Sequence, residues 1–259
     1  MNVVVCIKQV PGTTEVKIDP ATNTLVREGV ESIINPFDTY AVEEGVRLKE
    51  RYGGKVTVLT MGPPQAEQAL REAISCGADD GVLISDRAFA GSDTLATSRV
   101  LAATMNKLAD YDLVICGRQT LDGDTGQVGP GLAQRLGIPF LAYVSRVEEV
   151  GEGSMRAERM IEEGHEEMEL PLPAVITVVK EINVPRLPSL RGTARSRSIH
   201  IPTWTAADLG LCEEEVGVAG SPTRVIKIFF PRRERHSEVL SGSPQTQVEQ
   251  LVERIRGII

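Results

Sequence analysis

An alternation constrains this chain more than any other feature. Short β-branched runs, "VVVCI" at 3–7, "KVTVLTM" at 55–61, "GVLIS" at 81–85 and "DLVICG" at 112–117, are each bounded by Gly, Pro or Asp. Amphipathic stretches lie between them. Ala41, Gly45, Leu48 and Tyr52 recur at helical spacing. Ala66, Ala69, Leu70 and Ala73 form a second stripe, closed by Gly77 as a C′ residue. "LPAVITVVK" at 172–180 reads as another buried strand. Strands and helices alternating in this way predict a doubly wound, mostly parallel α/β sheet. In such sheets ligands bind beyond the carboxyl ends of the strands.

The bulk numbers agree and exclude some functions. The 259 residues allow one large domain, or a domain with a substantial extension. Apolar residues make up 41% but aromatics only 4%, which suits a sheet of aliphatic strands flanked by helices. A formal charge of −8 disfavours nucleic acid and anionic membranes as bulk partners. No apolar run reaches the ~18 residues of a membrane-spanning helix, and "MNVVVCIKQV" is charged too soon for a signal peptide. Cys6, Cys76, Cys116 and Cys212 form no C-x-x-C pair, and only three histidines are present. No metal site is expected, and the thiols suit a reducing, cytoplasmic compartment.

The stretch "CGRQTLDGDTGQVGPGLA" at 116–133 carries the strongest functional signal. It runs from a strand into a helical pattern at Val128, Leu132 and Leu136, with five glycines and no lysine. Backbone N–H groups near Gly123, Gly126 and Gly129 can cradle a phosphate without lysine. Asp122 and Asp124 cannot face that phosphate unpaired. They can accept from loop amides or ribose hydroxyls, while Gln119, Thr125 and Gln127 add neutral donors. The competing reading is a connection held by Asx turns. "DRAFAGSDTLATSRVL" at 86–101 follows the third strand and places Thr94 and Thr97 near a helix start capped by Ser92 or Asp93. In "INPFDTYA" at 34–41, Asn35, Pro36 and Asp38 read as N-cap, first helical residue and first-turn acid, or as the border of a ligand. Neither G-x-x-x-x-G-K-[ST] nor G-x-G-x-x-G after the first strand is present, and no nucleophile–histidine set emerges.

Beyond residue 140 the chain is charged and reads as strands joined by turns. "EINVPRLPSLRGTARSRSIHIPTWTAADLGL" has three prolines before residue 203, four arginines and no acid between Ile182 and Thr205. It reads as an extended loop followed by a short helix. It is either a solvated basic loop or a docking surface with an apolar tip, "RLPSLR". "VIKIFFP" at 225–231 precedes a polar linker, and Val248, Leu251, Val252 and Ile255 then fall at helical spacing. Such a stripe must bury itself on its own domain or on a partner.

"VCIKQVP", "NPFDTYAVEE", "TMGPPQAEQALREAISCGAD", "SDRAFAGSDTLATS" and "CGRQTLDGDTGQVGP", in this order and spacing, resemble the beta subunits of electron-transfer flavoproteins over nearly the whole chain. Glu163, Met168 and Gly126 depart from the family's usual residues. The resemblance implies an α/β sheet of the adenine-nucleotide-hydrolase-like type over residues 1–200, with a docking loop near 184–200. Residues 201–259 would be an arm and helix that embrace an alpha subunit carrying FAD. The beta subunit of such a pair holds either AMP or a second FAD.

"DGDTGQVGP" is most similar to the electron-bifurcating, FAD-binding group. In that group hydride arrives from NADH. One electron leaves to ferredoxin or flavodoxin, the other through the alpha-subunit FAD to an acyl-CoA dehydrogenase-like partner. A stand-alone nucleotide-binding module is the third reading. Carried over by position, the adenosine part meets Cys6, Asn35, Pro36, Phe37, Asp38 and Met61. The phosphates meet Gly117, Arg118, Gln119, Thr120, Leu121, Asp122, Gly123, Asp124, Thr125, Gly126, Gln127 and Val128. Thr94 and Thr97 approach the flavin. Leu187 or Leu190 anchors the dehydrogenase, flanked by Arg186 and Arg191. The resemblance implies no acid–base side chain.

Overall fold

A computed structural model describes residues 1–12, 17–18, 25–26, 32–226 and 237–257. In chain order the elements are β1 (Asn2–Cys6), β2 (Gln9–Pro11), β3 (Lys17–Ile18), β4 (Leu25–Val26), β5 (Ser32–Ile34), α1 (Pro36–Tyr52), β6 (Lys55–Met61), α2 (Glu67–Ser75), β7 (Asp80–Ile84), α3 (Thr94–Leu108), β8 (Leu113–Gly117), α4 (Val128–Leu136), β9 (Phe140–Val150), β10 (Ser154–Ile161), β11 (Gly164–Pro171), β12 (Ala174–Val178), α5 (Leu190–Ser198), β13 (Thr203–Trp204) and α6 (Pro244–Arg256). The chain divides into two compact units, Met1–Val225 and Ile226–Ile259. The apolar run at 225–231 falls largely outside the described residues.

The first unit is built on a nine-stranded sheet in the order β11-β10-β9-β12-β8-β1-β6-β7-β13. Strands β9, β12, β8, β1, β6, β7 and β13 run parallel, while β10 and β11 add an antiparallel edge. Alternation along β1 assigns the faces: Val3 and Val5 pack with α1 and α2, Val4 and Cys6 with α3 and α4. β12 is buried along its whole length, as a central strand covered on both sides must be. The expected doubly wound α/β class is what forms.

Strand order also locates the crevice. The chain steps outward from β1 to β6 and β7, then returns to lay β8 on the other side of β1. That reversal opens a gap beyond the carboxyl ends of β1 and β8, where the glycine-rich stretch leaves the sheet.

Two sequence expectations are revised. The basic segment does not stay extended until a late helix: α5 occupies its middle, started by Ser189, whose side chain accepts from the Gly192 N–H at 2.9 Å. Residues 201–225, read as part of an arm, belong to the first compact unit. β13 pairs with β7 there, and Ala206 and Val216 are buried against the α3 face.

Candidate nucleotide site

At the crevice Asn35, Asp38 and Lys8 knit three segments together. Asn35 stands at the N-cap position of α1, but its side chain makes no cap bond. Instead it donates to the Gln119 carbonyl at 2.8 Å and accepts from the Leu121 N–H at 3.2 Å, holding the glycine-rich loop. Pro36 at the first position leaves fewer helix N–H groups for a cap to serve. The N-cap reading of Asn35 therefore gives way to a bracing role.

Asp38 is buried and accepts the Lys8 N–H at 2.7 Å. Burial pushes its carboxyl up to about 7, against hydrogen bonds from Asn35, Lys8 and Gly117, so it is part-protonated at neutral pH. Gly117 is required here, because a Cβ would collide with the Asp38 carboxylate and the Phe37 backbone. Cys6 and Cys116 pair in register on adjacent strands. Their mutual hydrogen bond and burial push the Cys116 thiol up, which keeps it a neutral, inert floor. All four cysteines are free.

Above this floor the loop is open: Leu121 to Gln127 are exposed. The Asp124 N–H donates to the Thr120 carbonyl at 2.9 Å, and Asp124 adopts φ +50°, a left-handed turn that Asp tolerates better than most residues. Arg118, the loop's own cation, turns away and stacks over Tyr143 at 5.0 Å. Lys8 reaches in from the end of β1. Its Nζ lies 2.8 and 2.7 Å from the two Asp122 oxygens. Burial raises the Asp122 carboxyl, but the Lys8 ammonium and Thr120 outweigh it and hold the group below the usual carboxylate range. With side chains 45% and 30% exposed, the pair stabilises by about 0–1 kcal/mol at most.

Beside this bridge lies a cleft of about 890 Å³. It is walled by the segments after β1 (Lys8–Pro11), β6 (Met61–Ala66) and β7 (Ser85–Arg87, Phe89–Ser92), with Ser32 and Asp122 at its rim. Its size suits a nucleotide-scale ligand, and Met61, Phe89 and the prolines give it apolar surface. Asp86 is already committed, accepting from the N–H groups of Ala88 and Ala206 at 3.0 Å. The wall therefore presents Lys8 and Arg87 with no unpaired carboxylate among the described lining residues. An anionic, partly apolar ligand fits that chemistry.

Of the residues carried over from the family, Met61 and Asp122 line this cleft; Asn35 and Asp38 lie outside the lining and brace Gln119 and Lys8 by hydrogen bonds, and Cys6 is buried at the end of β1. Thr94 and Thr97 sit on the first turns of α3, outside the lining, behind Asp93, whose carboxylate caps the helix through Leu95 and Ala96. Sequence reasoning passed over Lys8, Gly62–Gln65 and Arg87. "GPP" directly after β6 was the available signal: two prolines lack the N–H a strand needs, so the chain must turn out at the sheet edge there.

The electron transfer flavoprotein domain model matches residues 22–209. The chain is 50% identical over 256 residues to the electron transfer flavoprotein subunit beta of Thermoanaerobacterium thermosaccharolyticum, covering 98% of each chain. It is 46% identical over 249 residues to protein FixA of Azotobacter vinelandii, covering 93% of this chain and 89% of that one. It is 45% identical over 249 residues to the caffeyl-CoA reductase-Etf complex subunit CarD of Acetobacterium woodii, covering 96% and 95%. This chain belongs to the electron transfer flavoprotein beta subunits. That membership implies an alpha-subunit partner and a flavin- or AMP-type cofactor.

The segment after β12 carries two leucines, Leu187 and Leu190. Leu187 and Leu190 are 87% and 93% exposed. Arg186, expected to flank them as a free steering charge, is instead locked inward: Nε lies 2.7 Å from Glu43 Oε2, and Nη1 and Nη2 lie 2.6 and 3.0 Å from the Glu50 carboxylate. Its guanidinium is held charged by Glu50 and Glu43. Arg191 is exposed beside Leu190. Among the described residues no helix is long and apolar enough to cross a membrane.

Proposed function

We propose that this chain is the beta subunit of a heterodimeric, electron-bifurcating electron transfer flavoprotein, binding FAD beside the 116–128 loop. NADH is the hydride donor. Ferredoxin or flavodoxin takes one electron, and an acyl-CoA dehydrogenase-like partner takes the other by way of the alpha-subunit FAD. The observation that carries this reading is the extent of the cleft. It crosses the carboxyl ends of β1, β6 and β7, from Asp122 at one rim to Ser92 at the other, and its volume falls in the range of sites that enclose a whole organic cofactor. Similarity to a subunit named for a caffeyl-CoA reductase-Etf complex supports the same direction.

Bound FAD would supply the hydride and one-electron chemistry. The protein's part is positional. Asn35 fixes the loop carbonyl and amide at Gln119 and Leu121. The Asp38 carboxyl, buried and part-protonated, ties the end of β1 to the start of α1. The apolar wall at Met61 and Phe89 excludes water from one side. Leu187 and Leu190 present an apolar contact to the dehydrogenase, and the stripe of α6 packs on the alpha subunit.

Purification of the complex with its alpha subunit, followed by release and counting of nucleotides, tests this reading. Two FAD per heterodimer is the expected result. One FAD with one AMP would overturn it in favour of a simple carrier with a structural nucleotide.

A further inference from the structure

We infer that Lys8 is the cation that serves the anionic part of the bound nucleotide, and that Asp122 holds it in place until the ligand arrives. The inference rests on reading the cleft as a nucleotide site. It starts from a charge problem. The 116–133 stretch has no lysine and two aspartates, and its one arginine, Arg118, is engaged with Tyr143. A phosphate seated on the loop's amides would face Asp122 with nothing in the loop to offset the repulsion.

Lys8 supplies the missing charge from the segment that follows β1. Its backbone is fixed at both ends: the N–H donates to Asp38 at 2.7 Å and the carbonyl accepts from the Asn35 N–H at 2.8 Å. Only the side chain is free to redirect. It bridges to both oxygens of Asp122, and both residues line the cleft. The two partners are partly exposed, so the pair is weak and cheaply broken. A phosphate oxygen offers the ammonium a charge-assisted bond at least as strong, and carries more negative charge than a carboxylate. Partner exchange leaves Asp122 exposed to water at the rim, where its charge is solvated. A latch of this kind also biases the loop: with Lys8 on Asp122 the 118–122 segment is pinned to β1 before the ligand binds.

The test uses the heterodimer stripped of its beta-site nucleotide and titrated separately with FAD and with AMP at several salt concentrations. Lys8→Gln is expected to weaken binding 10- to 100-fold and to flatten its salt dependence, because a screened ionic contact has been removed. Lys8→Arg should restore most of the affinity. Asp122→Asn releases Lys8 and should tighten binding several-fold, but only when Lys8 is present. If Lys8→Gln and Asp122→Asn weaken binding equally, and the double variant no further, the pair is merely a clamp on the loop and the inference fails. It also fails if Lys8→Gln leaves affinity and salt dependence unchanged. A wild-type heterodimer whose beta site takes up neither probe would instead overturn the nucleotide reading itself.

Discussion

Two surfaces of this beta subunit expose apolar side chains, and they are built differently. Leu187 and Leu190 stand almost wholly in solvent, yet the backbone that carries them is fastened along its length. Asn183 donates to the Tyr40 carbonyl and to Glu44 at 3.0 Å, Arg186 grips Glu43 and Glu50, and the Ser189 N–H reaches the Ser75 carbonyl at 3.3 Å. Gly192 lies so close to that carbonyl that no Cβ would fit. Arg195 and Arg71 continue the seam to the Ala78 and Ser196 carbonyls. α6 differs. None of its residues is buried, and its side-chain contacts among the described residues of its own unit are the Ser243 cap on Thr246, the Gln247 amide on the Gly242 carbonyl and the Arg254–Glu238 pair. A helix of 13 residues is marginal on such terms. The first surface is preorganised, so little side-chain and backbone freedom remains to be lost when a partner docks. The second leaves Val248, Leu251, Val252 and Ile255 exposed.

The comparison breaks most readily at α6. The double variant Leu251→Asp, Ile255→Asp should weaken association with the alpha subunit by ~100-fold or more, since two apolar side chains each contribute about 1.5–3 kcal/mol when buried. Melting of the isolated chain should not move. Sedimentation of the mixed subunits reads the first and calorimetry the second. Unchanged association would mean that the stripe is not covered by the alpha subunit.

Arg186→Met attacks the mount of the other surface. It strands Glu43, whose side chain is 8% exposed, and should lower unfolding free energy by about 2 kcal/mol in urea titration. The loss is below that of a fully buried pair because a third of Arg186 remains in water. On the proposed function, electron delivery to the dehydrogenase should fall while the nucleotide content of the complex stays normal. A variant as stable as wild type would show that the ion pairs do not hold the segment.

Leu187→Ala is the finer probe. It should leave stability within about 0.5 kcal/mol, because the side chain contacts solvent. Transfer to the cognate dehydrogenase should drop roughly tenfold, the order of one lost apolar contact. Reduction by NADH of the two flavins proposed above should be unaffected. If reduction and transfer fall together, the segment supports the flavin site instead. Leu190→Ala, measured alongside, decides which leucine is the anchor.

The smallest effect is a pH dependence confined to the fastened surface. The Arg186 hydrogen bond holds the Glu50 carboxyl below its usual range. A depressed folded-state pKa contributes stability above the unfolded value and loses it as pH falls through the folded one. The stability difference between wild type and Arg186→Met should therefore narrow as pH drops below about 4. Subunit association through α6, which rests on apolar burial, should show no matching trend over the same window. A constant difference down to low pH would assign the mount to packing alone.

Periodicity alone told the class of this fold. Aliphatic runs of five to seven residues, separated by helical stripes, have few ways to bury both faces, and the doubly wound sheet is the one that formed. The glycine-rich loop and the apolar stripe of α6 were equally plain, because each depends on residues close together in the chain. Folding alone could settle which distant residues meet. Lys8 and Asp122 are separated by 114 positions and become partners only because β8 returns beside β1. Arg186 looked like a free surface charge until α1 brought Glu43 and Glu50 beneath it, 143 and 136 positions away. Asn35 looked like a helix cap, yet it spends its amide on a loop 84 residues downstream. Local pattern records which elements form, since backbone propensity and burial act over a few residues. The pairing of charges is decided by strand order, which no short stretch of sequence contains.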